Sequence, residues 1–307
     1  MSTSNREQHV LFSGRFDAAE REAWWRALQE AAPSCTWWRD DAPFERARID
    51  VAVVANPEPG ALADLPNLRL IQSLWAGVEK LLDDATLPTN VPIARMVDPA
   101  MNAAMAETAL WAVLGLHRRF FDYAAQQANA LWQQQAQRRA DDVNVLVLGA
   151  GQMGSAVATR LAALGYCVSA WRARNAVPLV PALATAEIVI NLLPLTATTR
   201  GLLDARLFAA LPHGASVVNL ARGAHVVDAD LLASLDSGHL HRAVLDVFHS
   251  EPLPAGHAFW HHPQVTVLPH VAALTDVRSA AAVVAANLNA LARVSPLAHL
   301  ADRSRGY

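Results

Sequence analysis

Apolar positions along the chain fall into short, nearly unbroken runs separated by stretches with helical spacing. This is the pattern of parallel strands buried on both faces. Val10–Phe12 is the first run, and the amphipathic stretch after it predicts a helix from Ala18 to Ala31. Ile49–Ala55 predicts a second strand, closed by the loop Asn56-Pro57-Glu58-Pro59-Gly60. Leu68–Leu74 predicts a third, leading into Trp75-Ala76-Gly77. To about residue 97 the chain therefore reads as a small α/β unit. Beyond Pro99, helical spacing continues from Met101 to roughly Gln135, and predicts one long helix joining two domains.

From Asp142 the alternation becomes regular. Strands are expected at Val143–Leu148, Cys167–Trp171, Glu187–Leu193, Ser216–Leu220, Ala243–Phe248 and Val265–Leu268. Helices are expected between them, at Gln152–Leu164, Asp204–Leu211 and Asp228–Leu235. Such alternation means a parallel sheet covered on both sides. A last apolar helix, Val277–Ala292, follows, and its return to the first domain would make that domain discontinuous.

A length of 307 residues supports two domains. With 53% hydrophobic and 17% charged residues, a disordered chain is excluded. The balance of 25 Lys and Arg against 28 Asp and Glu excludes a nucleic-acid binder driven by phosphate contacts. Two cysteines, Cys35 and Cys167, exclude a disulfide scaffold, suit a reducing cytoplasm, and read as small buried residues. The polar start, Met1–Gln8, is unlike a signal peptide, and no apolar run reaches the roughly 18 residues of a membrane helix. Trp24, Trp25, Trp37, Trp38, Trp111 and Trp132 read as core or interface. A soluble intracellular protein with no nucleic-acid, membrane or metal partner is expected.

Gly149-Ala150-Gly151-Gln152-Met153-Gly154 follows a predicted strand and opens a predicted helix. In that context G-x-G-x-x-G is a dinucleotide fingerprint. Gly149 allows the tight turn, Gly151 the close approach of a pyrophosphate, and Gly154 close packing of helix on strand. The acidic residue that would bind the ribose hydroxyls of NAD is absent, and Ala170-Trp171-Arg172-Ala173-Arg174 stands in its place. Arg172 and Arg174 suit the 2′-phosphate of NADP, so NADP(H) is expected, with NAD(H) the lesser option.

Three later segments end strands at the edge where an open parallel sheet presents its ligand crevice. They are Asn219–Gly223, Asp246–Pro254 and Leu268–Ala273. Their Arg222, Glu251 and His270 are the parts needed to reduce an α-keto acid. Arg222 can bind the carboxylate and polarise the ketone, and His270 can protonate the oxygen. Glu251 can hold the other ring nitrogen and favour imidazolium.

With Ile190–Thr196, Leu-Ala-Arg-Gly, Glu-Pro-Leu-Pro and the tail Asp302–Tyr307, the sequence resembles the D-isomer-specific 2-hydroxyacid dehydrogenases, within them the glyoxylate/hydroxypyruvate reductase branch. The resemblance implies a Rossmann-type domain, 99–274, inserted in a smaller flavodoxin-like substrate domain, 1–98 completed by 275–307. It implies a homodimer with the long helix at its interface, and Arg222, Glu251 and His270 as the catalytic set. Gln152, Met153, Leu193, Pro194, Leu220, Ala221, Asp246 and Ala272 would join the glycines at the cofactor. Trp75, Ala76 and Gly77 would hold the substrate carboxylate, with Arg222 and His270 at the reacting group.

Two departures bear on substrate choice: Trp75 stands where relatives carry Gly, and Ala55-Asn56 where they carry a pocket Trp. Trp75 either replaces that wall, giving a pocket for glyoxylate or hydroxypyruvate, or points away and admits a larger acid such as phenylpyruvate. A nucleotide-sensing corepressor is the alternative outside enzymology.

Overall fold

The computed structural model describes residues 7–172 and 178–307. The chain divides into two compact units, Met1–Ala100 with Thr275–Tyr307, and Met101–Leu274.

The first unit is built on five parallel strands. They are β1 (His9–Gly14), β2 (Thr36–Arg39), β3 (Val51–Ala55), β4 (Leu70–Ser73) and β5 (Ile93–Ala94), in the order β2-β1-β3-β4-β5. This is the flavodoxin-like order, reversing between β1 and β3. Alternate residues serve opposite faces: Leu11, Ala52, Val54, Ile71 and Ile93 share one core with Leu62, Leu65 and Leu68. The helices α1 (Ala18–Ala31) and α2 (Glu79–Leu82) complete the N-terminal part.

The second unit opens with α3 (Pro99–His117) and α4 (Phe120–Ala128), so the single helix expected to Gln135 is broken. Arg119 turns left-handed, at φ 61°. The ring of Phe121 then folds back onto α3 at Gly115, where a Cβ would lie 2.4 Å from it. Residues 129–139 are not helical, and are tied down by Gln135 N–H donating to Tyr123 Oη (2.9 Å) and by His117 Nε2 at the Arg138 carbonyl (2.9 Å).

Next come β6 (Asn144–Leu148), α5 (Gln152–Ala163), β7 (Cys167–Trp171), α6 (Leu179–Leu183), β8 (Ile188–Asn191), α7 (Ala205–Ala209) and β9 (Ala215–Asn219). They are followed by α8 (Asp228–Asp236), β10 (Leu240–Leu245) and β11 (Val265–Val267). Among the described residues the strands form one parallel sheet, β11-β10-β9-β8-β6-β7, reversing at β6. Val145, Val147, Ile188, Ile190, Val218 and Val244 meet the buried face of α3. Leu146, Leu148, Val189, Val217, Ala243 and Leu245 lie in the other core, with Leu207, Phe208, Leu231 and Leu235. That two-sided burial is why the strands read as unbroken apolar runs. The edge strand β7 departs from it, and Cys167 at its start is exposed rather than buried. Trp132 departs from a core assignment as well, at 95% exposure.

The chain then returns to the first unit as α9 (Val277–Ala292), which packs against α1. Two polar pairs, the first of them fully buried, secure the return. Asn287 Nδ2 donates to Gln72 Oε1 (2.7 Å), and Ser279 Oγ to Asp98 Oδ2 (2.6 Å). No helix among the described residues is long and apolar enough to cross a membrane.

Candidate active site

The turn from β6 into α5 depends on its glycines. Gly149 has φ +99°, and a Cβ there would sit 2.4 Å from the Leu192 carbonyl oxygen. Its N–H donates to the Trp171 carbonyl of β7 (2.9 Å), closing the turn across the two strands. A Cβ on Gly154 would meet the Gly149 oxygen at 2.0 Å. Gly151 is different: a Cβ there would have nothing within 4 Å, and as the N-cap of α5 it brings no side chain to the helix start. The first amides of a helix lack partners within it, and an open, uncapped start leaves them for an anion. The turn therefore fits a dinucleotide pyrophosphate. Arg172, half-buried, directly follows β7, whereas Arg174 lies outside the described residues.

At the same edge, two buried asparagines shape the next loops. Asn191 Nδ2 donates to Asn219 Oδ1 (3.0 Å), and Asn219 Nδ2 donates to the Arg222 carbonyl (3.0 Å). Their side-chain oxygens accept from the N–H groups of Leu193 and Ala221, both at 3.3 Å. Leu193, Leu220, Ala221 and Ala272 are themselves buried, and the side chains of Leu193, Leu220 and Ala272 belong to the sheet's cores. Pro194 is fixed through its carbonyl, which accepts from Thr199 Oγ1 (2.7 Å).

Of the three predicted catalytic residues, two touch. His270 Nδ1 lies 2.7 Å from Glu251 Oε2, and Glu251 Oε1 accepts the Phe248 N–H at 2.9 Å. A carboxylate only accepts, so Nδ1 carries the proton of this bond and Nε2 is the ring's second proton position. Arg222 is brought to the same place through its neighbour. A Cβ on Gly223 would fall 1.9 Å from the Phe248 carbonyl carbon, so β9 and β10 present adjoining loops. Arg222 also donates to the Ala221 carbonyl (2.7 Å).

Asp246, 1% exposed, spends both oxygens on the backbone after His270: Oδ1 accepts from Val271 N–H (2.7 Å) and Oδ2 from Ala272 N–H (3.0 Å). Burial raises its carboxyl pKa from the ordinary value, against the pull of those two bonds. His270 itself stands at φ 57°, a left-handed conformation that this clamp helps to hold.

Sequence reasoning passed over the anchors of the Glu251 loop. His249 Nε2 is 2.8 Å from the Val226 carbonyl and 3.5 Å from Asp228, and His257 is 3.4 Å from the same carboxylate. Both flank Glu251 in sequence, and two histidines around a Glu-Pro step were the only available signal.

In the first unit, Ser73 Oγ accepts the Trp75 N–H (3.0 Å), and Met96 N–H donates to the Trp75 carbonyl (3.0 Å). The Ala76 and Gly77 N–H groups carry no hydrogen bond among the described residues. The Trp75 ring packs on Phe16 and edge-on to Trp24, with centroids 6.5 and 6.4 Å away. Among the described residues no group of three or more His, Cys, Asp or Glu is placed to hold a metal ion.

A doubly wound parallel sheet with an open glycine turn and a carboxylate–imidazole pair at one edge defines an NAD(P)-dependent oxidoreductase. The family model of the D-isomer specific 2-hydroxyacid dehydrogenase NAD binding domain matches residues 110–272, and the chain belongs to that family. It is 39% identical over 319 residues to a glyoxylate/hydroxypyruvate reductase A of Serratia proteamaculans, covering 97% of this chain and 100% of that one. A D-isomer specific 2-hydroxyacid dehydrogenase from Xanthobacter autotrophicus, solved with NADPH and MES, superposes with a TM-score of 0.92 at 35% identity, covering 98% of this chain and 100% of that one. An NADPH-dependent glyoxylate/hydroxypyruvate reductase from Sinorhizobium meliloti, solved with NADP and sulfate, gives 0.89 at 33% identity, with 98% and 100% covered.

Proposed function

We propose that the protein reduces a small 2-keto acid, glyoxylate or hydroxypyruvate, to its 2-hydroxy acid with NADPH. The reading is carried by the 2.7 Å Glu251–His270 pair, standing on the same unit as the open glycine turn. It is supported by the names and bound nucleotides of the Serratia, Xanthobacter and Sinorhizobium relatives. When bound, NADPH supplies the hydride that ends on the keto carbon.

The protein's own residues do the rest. Glu251 fixes the ring of His270, which delivers a proton from Nε2 to the developing alkoxide. Arg222 binds the carboxylate and polarises the ketone. The N–H groups of Ala76 and Gly77 are the first unit's donors for a substrate carboxylate, and the free amides after Gly151 take the pyrophosphate. Arg172 and Arg174 grip the 2′-phosphate, and Asp246 positions His270 through the 271–272 backbone.

On this reading 1–98 with 275–307 is the substrate domain and 99–274 the nucleotide domain. A homodimer is supported by the exposed Trp111, Phe120, Leu131 and Trp132, and a cytoplasmic setting by two free thiols. One observation favours a larger substrate. The Trp75 ring packs against Phe16 and Trp24, as expected if it points away from the substrate.

The deciding assay follows NADPH absorbance with glyoxylate, hydroxypyruvate and phenylpyruvate. Turnover of the small acids is expected, and a clear preference for phenylpyruvate would replace the small-acid reading. His270→Gln should lower kcat by about 10²- to 10⁴-fold with NADPH affinity intact, and near-normal turnover would remove His270 from the acid role.

A further inference from the structure

The carboxyl edge of the first sheet carries a cleft of about 550 Å³ that the proposed reaction does not use. It lies between the turn after β1 and the loops after β2 and β3, lined by Gly14, Arg15, Phe16, Phe44, Arg46 and Glu58. The strand order of this sheet reverses between β1 and β3, and open parallel sheets take ligands at such a reversal. The volume is that of a small-molecule site.

The floor is internally satisfied. Arg21 pairs with Asp40 (2.7 Å) and donates to the Gly14 carbonyl (2.6 Å), while Asp40 also accepts from Ser13 Oγ (2.8 Å) and Gly14 N–H (3.1 Å). That pair builds the wall and is not offered to a ligand. The rim differs. Arg46 lies over the Phe44 ring at 5.6 Å, donates once to the Ala63 carbonyl (2.7 Å), and has no carboxylate partner among the described residues. Among the described residues Arg15 pairs only with Glu58 (2.6 Å), and their side chains are 63% and 72% exposed. A surface pair of this kind is held weakly and exchanges readily for a ligand anion. Phe16 faces the cleft and also touches Trp75, the first residue of the loop whose next two amides are open.

We propose that this cleft is an effector site for a small organic anion, a ring-sized apolar body bearing a phosphomonoester or a carboxylate. Arg15 and Arg46 take the anion, and Phe16 and Phe44 take the body. A body lodged against Phe16 presses that ring toward Trp75 and shifts the Ala76–Gly77 amides from their resting place. Only this coupling step rests on the proposed role of that loop; the binding step does not.

The test is calorimetric titration of the full chain, saturated with NADP⁺ to close the nucleotide site, with phenyl phosphate, benzoate and inorganic phosphate. One phenyl phosphate or benzoate per chain is expected, and the stronger of the two identifies the anion. Arg15→Ala with Arg46→Ala should weaken that binding at least tenfold, with melting temperature and NADP⁺ affinity unchanged. The bound anion should raise KM for glyoxylate about threefold or more with kcat unchanged, and at saturating anion Phe16→Leu, which weakens binding but keeps an apolar contact, should remove that effect. The site is overturned if neither ring-bearing anion binds, if inorganic phosphate binds as well as phenyl phosphate, or if binding survives the double substitution. Binding without a change in KM overturns the effector role. Because binding is read without turnover, failure here is separable from failure of the reductase reading.

Discussion

The two units begin alike and treat the same junction in opposite ways. Each runs a central strand through a glycine turn into a helix, β1 to α1 and β6 to α5, at the point where its sheet reverses direction. In the first unit Asp17 caps the helix, its Oδ1 accepting the Glu20 N–H at 2.8 Å, and Glu20 adds a second carboxylate to the first turn. In the second, the cap is Gly151, with no side-chain bond and no acid in the first turn. Topology provides an electropositive helix start in both units, and the cap residue decides whether it serves the fold or a ligand. An anion held beside the start of α1 must therefore be held by side chains such as those of Arg15 and Arg46.

Exchanging the caps would sharpen the contrast most. Gly151→Asp can adopt the present backbone, where φ is −80°, and would close α5 with its own carboxylate. NADPH affinity should fall at least about 100-fold, nearly 3 kcal/mol, while the melting temperature holds or rises. Unchanged affinity would break the comparison. Next, Arg172→Ala should raise the Michaelis constant for NADPH by about tenfold, the worth of one charge-assisted hydrogen bond, and leave that for NADH nearly unmoved. An equal effect on both cofactors would remove Arg172 from the 2′-phosphate.

Asp17→Ala should produce the converse pattern, a loss of about 1 kcal/mol in stability with cofactor binding intact. Thermal melts and a fluorescence titration measure both sides. The smallest effect concerns His241 on β10, whose pKa burial lowers, with Arg119 and Arg242 adding to it and Asp122 opposing. The unfolded chain takes up that proton first as pH falls below about 6.5, so the stability held above this value is lost on acidification. His241→Gln should shrink the drop in melting temperature between neutral and mildly acidic pH by about 2 °C. Equal drops in both proteins would dismiss the assignment.

Periodicity and local chemistry announced much of this molecule and failed where distant contacts decide. The limits of α1, β7 and α9 are those read from the residues, because capping residues and apolar runs are local signals. The half-buried edge strand β2 went unread, since Thr36–Arg39 neither alternates nor forms an apolar run. The break after His117 was equally hidden, for it depends on Phe121 finding the slot beside Gly115. Around the candidate site, Arg, Glu and His announced themselves by residue type. The pairing of Asn191 with Asn219, separated by 28 positions, could not, and neither could the closure of Asp228 on His249 and His257. Asp246 was legible as a strand-ending Asp but not as the clamp on Val271 and Ala272.

The return of the chain to its first unit sets an order of events during synthesis. The strands β1 to β5 leave the ribosome within the first hundred residues, yet α9, which covers α1, arrives only near the end of the chain. At ordinary translation speeds of about 5–20 residues per second, roughly 200 further residues occupy ~10–40 s. The second unit has all its strands by Leu274 and can close while the earlier half still waits for its last helix. The part made first is the part completed last, and during that interval the nascent chain carries Trp24 and Leu28 on a helix whose partner has not yet been made.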